Sequence, residues 1–221
     1  KPLSHVNSAD LTGAVDLLAS PFFSEDNLLP KYSSIAPSVR LNPADKRLLQ
    51  FFTTLPIGQN LVTTLTTLSS FSHQISLILA NAATVNIPSQ ITLLKETYGL
   101  RYSLLQSLDP LQVDFARLSP SDQMLNEVLR VGALLYIQAT LQEFPFSAVG
   151  SRNLVAKLKS SVRMVKIRNR PESELMVWLL FMDGIEARDE LDRAWFVQIR
   201  KLTDRLGMEW EDAKKALEGL W

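Results

Sequence analysis

The chain has 221 residues, and 23 Lys and Arg balance 23 Asp and Glu, so its formal net charge at neutral pH is zero. A neutral chain has no broad attraction for nucleic acid or an anionic membrane. The absence of cysteine excludes disulfides, thiolate zinc sites and cysteine nucleophiles together.

The length and apolar content allow a sizeable core. No Asn-x-Ser/Thr sequon occurs, and no signal-peptide pattern opens the chain. In chain order, Pro21 to Leu41 reads as a loop rich in Pro, Ser, Asp and Asn. Asn42, Pro43 and Asp45 then predict a helix start, with Leu48, Leu49, Phe52 and Leu55 at helical spacing. Leu61, Leu65, Leu68, Ile75, Ile78, Leu79 and Ala82 predict one long helix. The greasy stretch from Leu61 to Ile87 is interrupted by Thr, Ser, His, Gln and Asn, and is too polar to span a bilayer.

Pro88-Ser89 opens the next helix, which carries Leu93, Leu94, Tyr98, Leu104 and Leu105. Ser107 to Ser119 reads as a second loop. Ser119-Pro120-x-Asp122 then repeats the cap-and-proline start before Leu125, Val128, Leu129 and Ile137. Ser151 is the expected cap of a helix through Leu154, Leu158, Val162 and Val165, with Pro171 stopping it and starting the next. Asp192 is the expected cap of a helix bearing Trp195 and Phe196, which Gly207 ends; Trp210 to Leu220 forms the last. No internal repeat, low-complexity tract or linker divides the chain.

Four constellations invite a chemical reading. The first is the stretch from Leu48 to Leu94, which holds no Asp, Glu, Lys or Arg. Exposed helix positions usually recruit charge, so its absence points to a core helix with a neutral polar face, a partner surface, or a pocket wall. Thr and Ser side chains in the run can bond backbone carbonyls one turn back, so burial would not strand them. If a ligand pocket or interface lies here, its residues are Leu65, Leu68, Ser72, His73, Ile75 and Ile78.

The second is basic: Arg152, Lys157, Lys159, Arg163, Lys166, Arg168 and Arg170, with no acid between Glu143 and Glu172. On one continuous helix, Arg152, Lys159, Arg163, Lys166 and Arg170 share a strip. That strip is a solvated face, or a contact for phosphate or an acidic partner. The third is the acidic group Asp183, Glu186, Asp189, Glu190 and Asp192, a surface patch that Lys and Arg of the basic helix could neutralise. It lacks calcium-loop spacing. The fourth is histidine, of which there are two; without cysteine they make a zinc site an unsuitable reading. No Gly-x-Ser-x-Gly elbow is present, so no catalytic residue is assigned.

All four tryptophans fall in the last part of the chain, at Trp178, Trp195, Trp210 and Trp221. Trp178, Trp195, Phe196 and Trp210 are expected core anchors, since burying such rings removes about 150–250 Å² each from water. The order from Trp178-Leu179-Leu180-Phe181-Met182-Asp183-Gly184 through Arg193-Ala194-Trp195-Phe196-Val197 to Leu206-Gly207-Met208-Glu209-Trp210 and Leu220-Trp221 resembles the fungal-specific transcription factor domain. Tyr136-Ile137-Gln138, Glu143-Phe144-Pro145 and Gly150-Ser151 look like the same family, and the resemblance covers residues 127–221. In that family this region lies downstream of a six-cysteine zinc binuclear cluster that binds DNA.

The expected fold is all-α: a single irregular helical domain over residues 1–221, of about eight or nine helices, with a partly irregular segment at 1–41. The resemblance implies a nuclear, non-catalytic regulatory domain of a fungal transcription factor, working through protein partners or self-association and through sensing of a hydrophobic small molecule. The alternative is a stand-alone helical ligand-binding or scaffold protein lacking a DNA-binding domain. No cofactor is expected, because the family's zinc belongs to cysteines this chain does not have. Direct DNA binding and membrane association are not expected either.

Overall fold

The computed structural model describes residues 13–15, 49–80, 90–106, 118–140, 148–186 and 194. Five long helices run in order: α1 Gln59–Ala80, α2 Gln90–Gln106, α3 Pro120–Thr140, α4 Ala148–Val162 and α5 Arg170–Glu186. Residues 13–15 and 49–53 are also helical, and no strand occurs among the described residues. The fold is all-α, as expected. The described residues hold seven helical segments rather than eight or nine. The helices expected around Trp195 and Trp210 lie outside the described residues.

Helix α3 is the hub and touches each of the other four long helices. Its start is the one the sequence predicts. The Asp122 backbone N–H donates to Ser119 Oγ at 3.2 Å, and the Ser119 hydroxyl donates to Asp122 Oδ2 at 2.6 Å. This joins an N-terminal cap to a carboxylate at the positive end of the helix dipole. From Leu125 to Gln138 every residue is buried except Glu127 and Tyr136, which are half-buried. Leu125, Val128, Leu129, Leu134, Leu135 and Ile137 pack with Leu65 and Leu68 of α1, Leu104 and Leu105 of α2, Leu154 and Leu158 of α4, and Leu175 and Leu179 of α5 in one core.

The chain enters α1 through a turn that α3 holds from across the fold. The Asn126 amide donates to Pro56 O at 3.2 Å and to Asp122 O at 2.7 Å, and Asn126 Oδ1 accepts from the Gly58 N–H at 2.8 Å. Gly58 O in turn accepts from the Val62 N–H, opening the first turn of α1. One buried amide thus bonds three backbone groups, two of them in the turn before α1 where no helix ladder serves them.

Two boundaries differ from the sequence reading. Helix α4 begins at Ala148, so Ser151 is a first-turn residue and not the cap. Helix α4 also ends at Val162, well before Pro171. The Met164 N–H donates to Ser161 O and the Val165 N–H to Val162 O, which tightens the last turn, and an irregular segment runs on to Asn169. Val162, Val165 and Ile167 pack against the core there, so their β-branched side chains stay anchored after the helix has stopped. The expected basic strip from Arg152 to Arg170 is therefore broken, because its second half is not helical until α5 begins.

Asn169, not Pro171, opens α5. The Glu172 N–H donates to Asn169 Oδ1 at 2.9 Å, and Glu172 Oε2 reaches back to accept the Arg168 N–H at 2.7 Å. The Glu172 side chain is 1 % exposed, and Arg168 neutralises it through Nε and Nη2. Arg168 Nη2 also lies 2.7 Å from Asp122 Oδ1. One guanidinium therefore joins the acids at two helix N-termini and pins the start of α5 to the start of α3.

The Ser119 hydroxyl, and then Arg168, hold the Asp122 carboxyl below its ordinary value of 3.8. A lowered acid stabilises the fold fully above its ordinary value and loses that contribution as pH falls through the lowered one. Asp122→Asn is expected to cost roughly 0.5–1 kcal/mol at neutral pH in urea melts. The deficit should vanish at the acid end; a deficit constant across the whole pH series would show that the charge is not its source.

Candidate functional site

Helix α1 carries the residues marked by the missing charge. Leu65 and Leu68 are fully buried and Ser72 is buried, all on one face. Ile75 is half-buried against the core, and His73 is half-buried one step round the helix. Ile78 lies in α1, with its side chain outside the described residues. Leu65, Leu68, Ser72 and Ile75 therefore share the inward side of α1. His73 does not lie at its centre.

The opposite side of α1 is a narrow neutral stripe. Asn60, Thr63, Thr67 and Gln74 are exposed, and Thr64 and Ser70 half-exposed. The threonine hydroxyls bond back one turn: Thr63 to Gln59 O at 3.0 Å, Thr64 to Asn60 O at 2.9 Å, Thr66 to Val62 O at 2.8 Å and Thr67 to Thr63 O at 2.9 Å. The missing charge thus reflects both burial and a solvent face whose polar groups are turned onto the helix's own backbone. Over residues 59–75, α1 faces protein around most of its circumference, with an open stripe along the rest.

Among the described residues, three buried side-chain atoms have no hydrogen-bond partner: Ser72 Oγ, Glu96 Oε1 and Arg130 Nη1. They sit on α1, α2 and α3. Arg130 is 2 % exposed, and Glu127 one turn earlier grips it through Nε at 2.9 Å and Nη2 at 2.8 Å. Lys157 of α4 approaches the same carboxylate at 3.8 Å. Burial pushes the Glu96 carboxyl above its ordinary value, so at neutral pH its charge works against the fold. The sequence reading passed over Asn126, Arg130, Glu96 and Glu172. The spacing of Glu127 and Arg130 was a legible sign of an ion pair, but their burial was not.

Among the described residues, three of the basic residues meet acids outside the 183–192 group. Arg168 pairs with Asp122 and Glu172, Arg170 with Glu174 at 2.8 Å, and Lys157 approaches Glu127. Asp183 and Glu186 lie in α5 with side chains outside the described residues, and Asp189, Glu190 and Asp192 lie outside them altogether. So do the side chains of Trp178, Trp195, Phe196 and Trp210. Among the described residues no group of His, Cys, Asp and Glu could hold a metal ion, and no helix is long and apolar enough to cross a membrane.

Lysine substitution separates the two sides of α1. Leu65→Lys and Leu68→Lys remove a buried side chain and bury a charge, at an expected cost above about 3 kcal/mol in denaturant melts. Thr67→Lys on the exposed stripe should change stability by no more than about 0.5 kcal/mol. Equal tolerance at all three positions would contradict the orientation of α1.

Comparison with known proteins supplies the family. No curated protein and no solved structure matches the chain. The family model described as the fungal specific transcription factor domain matches residues 69–221. That span starts within α1 and includes all of α2 to α5, the hub helix and the Arg168 clamp among them. It also reaches well upstream of the region in which the sequence resemblance is legible. By this match the chain belongs to the fungal specific transcription factor domain family.

Proposed function

We infer that this chain is a non-catalytic regulatory domain of a fungal transcription factor and acts in the nucleus through contacts with protein partners or a second copy. The single observation that carries the reading is the family match over residues 69–221. The charge balance fits it. The chain is neutral overall, and Arg168 and Arg170 are bound to carboxylates, which takes these two cations away from a phosphate backbone. Recognition of DNA then falls to another part of the regulator, and this domain needs no cofactor of its own.

A second reading, sensing of a hydrophobic metabolite, draws on the buried Ser72 hydroxyl. It lacks a partner and shares the inner face of α1 with Leu65 and Leu68. A small molecule with one polar group would satisfy the hydroxyl and extend the apolar packing.

The test of the regulatory reading is a reporter assay. The chain is placed between a heterologous DNA-binding domain and a strong activation segment. Reporter output is expected to change at least about tenfold relative to the same fusion carrying an inert helical protein of equal length. Output indistinguishable from that control, with equal protein levels, would contradict a regulatory role.

A further inference from the structure

The segment between α4 and α5 alternates anchored and exposed side chains. Val162, Val165 and Ile167 tie it to the core, while Arg163, Met164 and Lys166 point away and are exposed. Met164 is 66 % exposed, and it is the exposed large hydrophobic residue of the described part of the chain. Arg163 and Lys166 make no ion pair among the described residues, in contrast to Arg168 and Arg170 just after them. Lys157, on the preceding helix, keeps 44 % of its side chain exposed. No Asp or Glu occurs between Glu143 and Glu172, so nothing within the segment neutralises these cations.

We propose that Arg163, Met164 and Lys166 form a docking surface for an acidic peptide segment carrying apolar residues among its carboxylates. The proposal rests on the regulatory reading and names the chemistry of one of its partners. An exposed methionine is a flexible, polarisable contact that adapts to different apolar side chains. Flanking cations attract carboxylates and set the orientation of approach, and the thioether supplies the desolvated contact that holds the complex. The packed residues Val165 and Ile167 alternate with Lys166 and fix the segment beneath the ligand, so little ordering entropy is lost on binding. A nucleic acid fits less well. Its phosphates would use Arg163 and Lys166 but gain nothing from Met164, and among the described residues too few free cations lie nearby to hold a backbone at physiological salt.

The experiment is fluorescence anisotropy with the whole chain and a labelled peptide of repeated Asp-Leu-Glu. Saturable binding is expected, weakening with added salt. Met164→Ser and the double variant Arg163→Glu with Lys166→Glu should each weaken it about tenfold or more. All three positions are exposed, so unchanged thermal melts are expected to accompany the loss. A peptide with Ser in place of every Leu should bind about as weakly as the Met164→Ser variant binds the original. Absence of saturation, or binding unchanged in both variants, overturns the proposal. Tighter binding of random duplex DNA than of the peptide also overturns it, making the segment a phosphate contact. Sedimentation showing a dimer that Met164→Ser dissociates, without peptide binding, assigns the surface to a second copy instead. If the reporter effect persists while peptide binding fails, the regulatory reading stands and this surface alone is rejected.

Discussion

A helix buried on almost every face is stable only if its polar groups find partners inside the protein, and α3 lives under that constraint. Leaving one buried polar group unsatisfied costs about 1–3 kcal/mol, a large part of the net stability of a domain. Asn126, Arg130 and Asp122 all lie on α3, and each is bonded to a different part of the chain or to its own turn. Asn126 holds the entry to α1, Asp122 holds the entry to α5 through Arg168, and Glu127 holds Arg130 while approaching Lys157 of α4. The apolar residues between them supply the driving force for burial. The polar ones decide where each neighbouring helix must start.

This arrangement divides charge unevenly over the molecule. Acids sit at the N-termini of α3 and α5, where the helix dipole favours them, and Arg168 serves both. Helix α1 carries no charge at all, yet it keeps a wettable stripe because its threonines bond their own backbone. Among the described residues, the cations Arg163 and Lys166, which make no ion pair, lie where α4 ends. The described residues thus present two outer surfaces of different chemistry, a neutral stripe along α1 and a basic segment with an exposed thioether after α4.

What the sequence made legible was mostly local. Ser119, Pro120 and Asp122 lie within one turn, so the cap at the start of α3 could be read from spacing alone. The apolar spacing from Leu61 onward made α1 legible as one long helix, and the Thr and Ser of the uncharged run made back-bonding to its carbonyls available. The early start of α4 was hidden because Gly150 and Ser151 imitate a cap, while Ala148 and Val149 give no start signal. The end of α4 was hidden because Val162, Val165 and Ile167 keep an apolar rhythm after the helix has given way to an irregular segment. Contacts across the fold, such as Asn126 with Gly58 or Arg168 with Asp122, leave no trace in local spacing. Of the candidate site, the inward placement of Leu65, Leu68 and Ser72 followed from helical periodicity. The orphaned polar atoms of Ser72, Glu96 and Arg130 needed three helices placed together.

The hub role of α3 is tested most directly by native-state hydrogen exchange measured residue by residue. Amides from Val128 to Ile137 should be the slowest in the chain and should exchange only through global unfolding, with an opening free energy equal to that from denaturant melts. Amides of α1 should open at lower free energy on its exposed stripe. If the α3 amides exchange faster than those of α1 or α4, α3 does not organise the fold and the account built on it fails.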